Sequence, residues 1–311
     1  MRTTVNDWPS NLPFPRWYLD AVSGAQGWEY VEVRNGGGQL EALLPFQIRR
    51  RWGLLLLMAP PLCPQIGPVI HLPESAKTEQ QKNTHLHRIL TELNAVLPPA
   101  DYYKVSWPYS LENGLPWQML GWQQKVRYSY VLPLGKSTTQ LWKNLKPSLR
   151  NKIRKAEGIV AVQESQDWKL LFHLVDEVFL YRGVGRQVSV DQVEQLYKAA
   201  DQNQACQLWT AVDEANNPHA AMLLLYDDTK AYNLLLGSDP ALRQSGAVPL
   251  LLWHAIRWAK DQGLTHFDFE GSHLPGVEPF FRSFGAEAWP YYEFIKGKSW
   301  LLALRQLRGR L

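Results

Sequence analysis

Two kinds of hydrophobic spacing divide the chain into strands and helices. Short alternating or continuously apolar runs predict strands at 28–34, 40–48, 52–57, 102–107, 126–132, 160–162, 207–212, 219–226, 230–236 and 265–270. Apolar residues three and four positions apart predict helices at 80–95, 168–181, 190–200 and 248–262. A further helix, broken by Pro147, is predicted to begin after Ser137 or Thr138, either of which can cap it.

The order of these elements predicts the fold class. Paired hairpin strands followed by a helix and another strand occur in both halves of the chain, which suggests a weak internal duplication. Such an order gives a mixed, mostly antiparallel sheet with packed helices, so we expect an α/β (α+β) fold. The short polar connection at 135–139 predicts a boundary, with one domain at 1–135 and another at 136–311.

Composition excludes several classes of protein. With 45% hydrophobic and 20% charged residues, the 311-residue chain is typical of a folded protein of about two domains. A net charge of +4 is too small to indicate a nucleic-acid-binding protein. Cys63 and Cys206 have no CxxC or Cys/His neighbours, so we expect neither a disulfide framework nor a metal site.

Localisation is predicted from what the chain lacks. The first 15 residues are polar and proline-rich, unlike a signal peptide, and the longest apolar run, at 54–59, is too short to span a bilayer. We therefore expect a cytoplasmic protein. The basic, amphipathic tail at 296–310 could make a peripheral contact with the inner face of the membrane, although docking onto its own domain or onto a partner explains the tail more simply.

A loop between a predicted strand and a predicted helix is the first candidate site. Its residues are Arg243-Gln-Ser-Gly-Ala247. Amide groups at a helix start, together with the helix dipole, favour phosphate. Pro249 suits the first helical turn but removes one N–H from any anion site. The alternative is that Gly246 only permits a tight turn.

The strand at 265–270 is the second candidate site. Alternation places His266, Asp268 and Glu270 on one face, and Phe267 and Phe269 on the other. A carboxylate with a raised pKa at a strand end could accept the proton of an attacking amine, so Asp268 and Glu270 are candidate bases. The alternatives are a structural ion pair, for instance with Arg282, or a cap for the following turn.

A basic segment precedes the second half of the chain. Six basic residues occur within thirteen positions: Lys143, Lys146, Arg150, Lys152, Arg154 and Lys155. Arg150 and Arg154 are four apart and share a helical face, which could bind tRNA, a nucleotide-linked precursor or anionic lipid. A solvated helix face is an equally good explanation. Aromatic residues for stacking single-stranded nucleic acid are absent from this segment, so tRNA is possible but not favoured.

Residues 136–295 resemble the GNAT acyltransferases, in the branch of the Fem-type peptidoglycan aminoacyl transferases and of acetyltransferase-like proteins from exopolysaccharide clusters. The resemblance is carried by the order and spacing of several segments, and residues 28–70 resemble the first half of such tandem proteins more weakly. The segments are Trp142–Glu164, Leu235-Leu-Gly-Ser238, Arg243–Ala247, Leu250–Gly263, Phe267-Asp-Phe-Glu270 and Phe280–Gly285.

The resemblance implies tandem GNAT-like domains, the first shaping the acceptor cleft and the second carrying acyl transfer from an acyl-CoA such as acetyl-CoA. It implies an N-acyltransferase that acts on an amine acceptor, either a small molecule or a cell-envelope or polysaccharide precursor. The implied donor-binding residues are Leu235, Leu236, Gly237, Arg243, Ser245, Gly246 and Ala247. Arg150, Arg154 and Arg282 are expected to bind substrate.

Phe281 departs from the GNAT pattern. Many of these enzymes have a tyrosine at the matching position that protonates the leaving thiolate, and phenylalanine cannot donate a proton. Tyr292, or its neighbour Tyr291, is a possible substitute, and Tyr292 joins Glu270 and Asp268 as a candidate catalytic residue. The departure also leaves open a non-catalytic binding protein. The loop at 243–247 does not choose between the donors, so an aminoacyl-tRNA-dependent Fem-like transferase stays open, and the tail leaves open an envelope-assembly factor at the membrane.

Overall fold

The computed structural model describes residues 14–181, 183, 188–271 and 276–298. The chain divides into two units, one formed by the residues up to Arg127 together with those from Pro290 onward, the other by Tyr128–Trp289. Both divisions fall inside strands. The strand β6 (Gln123–Pro133) carries the chain into the second unit and β12 (Glu287–Gly297) carries it back.

The first unit is a sheet with a long helix. Its strands run in the order β1-β2-β3-β5-β12, with β4 beside β2. Neighbouring strands are antiparallel except β3 and β5, which are parallel. The elements are α1 (Arg16–Ser23), β1 (Glu29–Arg34), β2 (Leu40–Arg51), β3 (Leu54–Met58), β4 (Val69–Ile70), α2 (Glu79–Val96), β5 (Tyr102–Ser106) and α3 (Leu115–Met119).

The helix α2 begins and packs as its sequence dictates. Thr78 accepts from the amide of Gln81, whose side chain accepts from the Thr78 amide in return, and this capping box satisfies two donors at the helix start. The predicted apolar stripe is buried, and it packs with tryptophans that lie in the core of this unit. The buried residues include Leu86, Ile89, Leu90, Leu93, Trp107, Trp117 and Trp122.

The second unit repeats this plan. Its strands run in the order β6-β11-β10-β9-β8-β7, antiparallel throughout except for the parallel pair β10 and β11. The elements are α4 (Thr138–Asn144), α5 (Pro147–Ala156), β7 (Ala161–Glu164), α6 (Trp168–Tyr181), α7 (Val190–Gln202), β8 (Cys206–Val212), β9 (Pro218–Tyr226), β10 (Lys230–Ser238), α8 (Ala247–Asp261), β11 (His266–Asp268) and α9 (Glu278–Arg282).

The predicted fold class is confirmed: each unit is a mixed, mostly antiparallel sheet with packed helices. In both units a helix joins two parallel neighbours, β3-α2-β5 in the first and β10-α8-β11 in the second. Of the two predicted helix caps, Ser137 is the one that forms, accepting from the Gln140 amide.

The observed units do not coincide with the predicted division at 135/136. Residues 128–135 lie with the second unit, and residues from Pro290 lie with the first. The strand β12, which the alternation pattern did not predict, causes the second difference because it pairs with β5 from Glu293 to Gly297. The predicted two-domain division of labour stays a prediction. No helix among the described residues is long and apolar enough to cross a membrane.

Candidate active site

The parallel pair β10 and β11 separates partway along its length. Lys230, Ala231 and Tyr232 pair with His266, Phe267 and Asp268, and the pairing ends there. The strand β10 continues to Ser238 with only β9 beside it. Alternate backbone N–H and C=O groups of residues 233–238 therefore face a gap instead of a neighbouring strand.

A bulge and a glycine shape the free half of β10. The register against β9 shifts between Asn233 and Leu235, which bends the strand at the point where β11 leaves. Further along, a Cβ on Gly237 would overlap the backbone of α6 at Leu174 and Val175. The helix thus lies directly on the strand and covers one face of its free half.

We predict that Gly237→Ala lowers the free energy of unfolding by about 2 kcal/mol or more, because the obstructing atoms are backbone and cannot rotate away. Gly135→Ala is the matched control, since nothing lies within 4 Å of a Cβ built there. Urea unfolding of both variants measures the difference. Equal stability of the two would contradict the close contact between α6 and β10.

The first unit has no such gap in its equivalent strand pair. There β3 pairs with β5 at Leu56, Leu57 and Met58, and Met58 is the last residue of β3. The plan is the same, but only the second unit has six strand residues running on beyond the parallel pairing. The gap is therefore a special feature of the second unit.

Two carboxylates lie where β11 ends. Asp268 is buried, and its Oδ1 accepts from the Ser129 hydroxyl at 2.5 Å and from the Glu270 amide at 2.8 Å. Those bonds fix the Asp268 carboxylate in place. Arg282, the suggested ion-pair partner of these carboxylates, instead donates to Glu278 at 2.8 Å, so that alternative is wrong for Arg282.

Glu270 combines backbone strain with a perturbed carboxyl. Its φ is 63°, a left-handed conformation uncommon for residues other than glycine. Burial, and then the negative charge of Asp268, raise the pKa of the Glu270 carboxyl well above its ordinary value. Strained backbone and shifted pKa values both cluster at active sites, which keeps Glu270 a candidate site residue.

More polar groups share this region than the sequence pattern suggested. The predicted alternation holds, because Phe267 and Phe269 are in the core. On β10, the Tyr232 hydroxyl donates to Asp227 at 2.8 Å, and burial lowers the pKa of Lys230. Ser129 was also missed by sequence reasoning. A single serine between Tyr128 and Tyr130 was the available signal.

The loop before α8 contains a glycine that its surroundings require. A 3-10 turn at Arg243–Ser245 leads into Gly246, which has φ of 80°. A Cβ on Gly246 would approach the Lys152 carbonyl oxygen and the Ala156 Cβ to 3.1 Å. Glycine is thus favoured here by both backbone angle and space.

A cavity of about 190 Å³, called the anion cavity below, lies beside this loop. Residues from five elements and the loop line it, including Lys152, His219, Ser238, Arg243, Ser245 and Ala247. The Arg243 guanidinium stacks over the Tyr181 ring and donates to its hydroxyl. The cavity therefore has cationic and hydroxyl donors at the N-terminus of a 15-residue helix, which is suitable for phosphate.

The predicted substrate-binding arginines lie elsewhere on the surface of this unit. Arg150 donates to the Lys143 carbonyl at 2.9 Å, and Arg154 lies over the Trp142 ring at 5.5 Å. Arg282 is exposed and paired with Glu278. Of the basic segment, Lys152 is the residue that reaches the cavity beside the loop.

Phe281 and Tyr292 occupy packing positions. The Phe281 ring is buried against Phe269 and Tyr130, at centroid distances of 5.1 and 6.2 Å. Tyr292 belongs to the first unit, where its half-buried ring lies 6.3 Å from Phe294. The catalytic role of Tyr292 stays a prediction.

Two further expectations concern the tail and a metal site. The tail residues from 299 onward lie outside the described residues. Among the residues described, no cluster of three potential metal ligands occurs.

Comparisons with known proteins identify the class of the second unit. Residues 143–282 match the family model of the acetyltransferase (GNAT) domain. No curated protein sequence matches the chain.

Solved structures extend the comparison to the whole chain. FemX is 15% identical, with a TM-score of 0.70 and coverage of 99% of both chains. A tandem GNAT protein of the clavulanic acid biosynthesis pathway, solved without acetyl-CoA, is 9% identical with a TM-score of 0.53, covering 90% of this chain and 93% of that one.

The C-terminal domain of a proposed lysylphosphatidylglycerol synthetase from Agrobacterium fabrum is 14% identical, with a TM-score of 0.54 and coverage of 94% and 91%. The fold and the parted strands of the second unit define an acyltransferase fold. Residues 143–282 are thus similar to the GNAT acetyltransferase domain, and the fold of the chain is similar to that of FemX.

Proposed function

We propose that the second unit transfers an acyl group from acyl-CoA, such as acetyl-CoA, to an amine and so forms an amide. The observation that carries this proposal is the gap beside residues 233–238 of β10, with the strained, half-buried Glu270 just past the point where the strands part. A gap between parallel strands admits an extended chain with a reactive group at its end.

The residues present fit an acyl-CoA donor. Gly246 leaves space that a Cβ would fill, and the adjoining cavity has cationic and hydroxyl donors for a diphosphate. Arg243, Ser245, Gly246 and Ala247 would hold that diphosphate, and the free edge at 235–237 would lie along the rest of the donor. When bound, the donor supplies a thioester, and transfer forms the C–N bond of the amide as the C–S bond breaks.

Glu270 is the proposed base. A primary amine is protonated near neutrality and becomes a nucleophile only after losing a proton. Because its pKa is raised, Glu270 can take that proton and release it to solvent later. Asp268, fixed by Ser129 and by the Glu270 amide, positions Glu270 and raises its pKa, so we assign Asp268 a positioning role.

Backbone groups of β10 are the proposed electrophilic donors. N–H groups of residues 235–237 on the gap side point away from β9 and are held in place by the strand. Such preorganised donors stabilise negative charge on the carbonyl oxygen of the donor as the amine attacks. Phe281 supplies no proton, so the thiolate leaves with its charge or is protonated by solvent. Tyr292 remains a candidate acid, and the variant Tyr292→Phe tests it.

The acceptor is proposed to be an amine on a small molecule or a cell-envelope precursor. A polar acceptor is supported by the group of Lys230, Tyr232 and Asp227 beside the carboxylates. An envelope precursor is supported by the shared fold with FemX and with the proposed lysylphosphatidylglycerol synthetase domain. Arg150, Arg154 and Arg282 are proposed to bind anionic parts of such an acceptor.

An aminoacyl-tRNA donor is the second candidate. The basic residues of α4 and α5 support it, since they lie at the surface and could hold an RNA backbone. The two donors differ in salt dependence. Binding of an RNA over many phosphates weakens steeply with added salt, whereas binding of one diphosphate weakens much less.

The experiment that tests the proposal is an assay of thiol release from acetyl-CoA and longer acyl-CoAs with a panel of amines, including amino sugars and lysine-bearing peptides. Acetyl-CoA is expected to release thiol only when an accepted amine is present. Binding of acyl-CoA with no transfer to any amine would favour the non-catalytic binding protein. No binding of acyl-CoA, together with transfer from charged tRNA, would establish the second candidate.

Arg243→Ala is predicted to weaken acetyl-CoA binding about tenfold, because a charge-assisted bond to phosphate is lost from the rim of the cavity. Arg257→Ala is the matched control, an exposed arginine on α8 away from that loop. Calorimetric titration compares the two. An unchanged affinity in Arg243→Ala would remove Arg243 from the donor site.

A further inference from the structure

A buried histidine lies in the anion cavity and was not among the predicted site residues. His219, near the start of β9, is 5% exposed and lines the same cavity as Arg243 and Lys152. Its Nδ1 is buried and has no hydrogen-bond partner within the described part of the chain. A buried polar atom without a partner costs free energy unless a ligand or water supplies one.

The other ring nitrogen is held by Asp213. Nε2 of His219 lies 3.4 Å from Asp213 Oδ2, across the turn that joins β8 and β9. Asp213 also accepts from the side chain and amide of Asn217 and from the amide of Ala215. These bonds lower the pKa of Asp213 to about 2, and the bond from the Asn217 side chain contributes most. Asp213 is therefore anionic at neutral pH, and Nε2 carries a hydrogen toward it.

The cavity needs such a donor because its backbone supplies few. The Ala247 amide already donates to the Ser245 hydroxyl at 3.3 Å, and Pro249 has no N–H. Among the first three helical positions, this leaves the Val248 amide for an anion. Lys152 and Arg243 are exposed and contribute charge from the rim, whereas His219 is buried.

We propose that His219 is a specificity-determining residue that binds the diphosphate of the donor as an imidazolium. In that form Nε2–H donates to Asp213 and Nδ1–H donates to a phosphate oxygen, so binding takes up one proton from solvent. This inference rests on the proposed function. The charged groups around the ring are Asp213, Lys152, Arg243 and Asp239, whose amide donates to the His219 carbonyl.

Proton uptake on binding is the direct test. Dephospho-CoA is the probe, because its diphosphate has two ester linkages and does not titrate near neutrality. Calorimetric titration of the full chain in buffers of different ionisation enthalpy counts the protons taken up. We expect net proton uptake on binding and an affinity that falls as pH rises, because only the imidazolium donates from both ring nitrogens.

Two substitutions separate charge from hydrogen bonding. His219→Phe removes both, and we expect affinity for dephospho-CoA to fall about tenfold or more. His219→Asn places an amide near the position of Nδ1 but cannot titrate. It is expected to retain most of the affinity at about pH 8 and to take up no proton. A thermal unfolding scan of each variant shows whether it is folded at the temperature of the titration.

The outcomes distinguish the two proposals. Wild-type binding of dephospho-CoA without proton uptake, or equal affinity in folded His219→Phe, would overturn the role of His219 and leave the acyl-CoA site standing. Failure of the wild-type chain to bind either dephospho-CoA or acetyl-CoA would overturn both. Proton uptake that persists in His219→Asn would assign the titration to another group and overturn the role of His219.

Discussion

Glu270→Gln is expected to reduce the rate of acyl transfer about 10²- to 10⁴-fold while leaving the affinity for acetyl-CoA unchanged. The amide has the shape of the carboxylate but cannot accept the amine proton, and losses of this size are typical when a general base is removed. The donor-binding loop at 243–247 is a separate part of the unit, so donor binding gives an independent readout.

The pH dependence follows from the direction of the Glu270 pKa shift. Because burial and Asp268 raise this pKa, the base is protonated at low pH, and transfer should increase as pH rises through the raised value. Stability changes in the opposite sense. The raised pKa means that the folded state favours the protonated carboxyl. This contribution to the free energy of unfolding is complete below the ordinary carboxyl pKa and is lost as pH rises through the pKa of the folded state.

Glu270→Gln should therefore unfold at a higher temperature than wild type, by a margin that grows as pH rises through the raised pKa. Glu214→Gln, the same substitution at an exposed carboxylate, is the control and should change neither rate nor stability. Undiminished transfer in folded Glu270→Gln would show that another group takes the proton, and Asp268→Asn would be the next variant to measure.

Gly246→Ala is expected to weaken acetyl-CoA binding tenfold or more. It is also expected to lower the free energy of unfolding by more than the cost of placing an alanine in left-handed backbone. Left-handed backbone costs an alanine about 1 to 2 kcal/mol. At Gly246 the added methyl group would also meet the Lys152 carbonyl oxygen and the Ala156 Cβ at 3.1 Å. Relief of that contact moves the loop or α5, and both line the anion cavity.

The other end of the same helix supplies the control. Gly263 follows α8 with φ of 79°, and nothing lies within 4 Å of a Cβ built on it. Gly263→Ala should show the backbone cost alone, about 1 kcal/mol or slightly more in urea unfolding, with unchanged acetyl-CoA affinity. If both variants bind acetyl-CoA as wild type does, the loop before α8 does not hold the donor.

Local patterns predicted most of the regular elements of this chain. The helix at 168–181 and the helix predicted at 190–200 show strong apolar periodicity, and the structure contains both, the second two residues longer. The strand Glu287–Gly297 was missed because Pro290 interrupts an otherwise suitable run, and proline is rare in paired strands. Its pairing with the distant β5 stabilises it despite that local signal.

The candidate site was predictable in composition but not in geometry. Alternation correctly placed Phe267 and Phe269 in the core, but β11 ends at Asp268, so Glu270 lies beyond the alternating strand. The gap, in contrast, depends on where pairing between β10 and β11 stops, which is set by packing of elements far apart in the sequence. The left-handed backbone of Glu270 has no residue-type signal at all, since glutamate is not a residue that favours it.

His219 shows a different limit. Its partner Asp213 lies only six residues away across a local turn, whereas the cavity beyond it is lined by residues of α5 and α8, which are distant in the sequence. Phe281 shows the reverse case. Its apparent departure from a catalytic pattern was visible in the sequence, whereas its burial between Phe269 and Tyr130 was not.

Hydrogen–deuterium exchange with and without acetyl-CoA tests most directly whether the donor binds in the gap of the second unit. The proposed function predicts slower exchange of amides at 233–238 and 243–248, with no change at 54–58, where the equivalent strand of the first unit is already paired to its end. Unchanged exchange at 233–248 in the presence of saturating acetyl-CoA would contradict the proposed donor site.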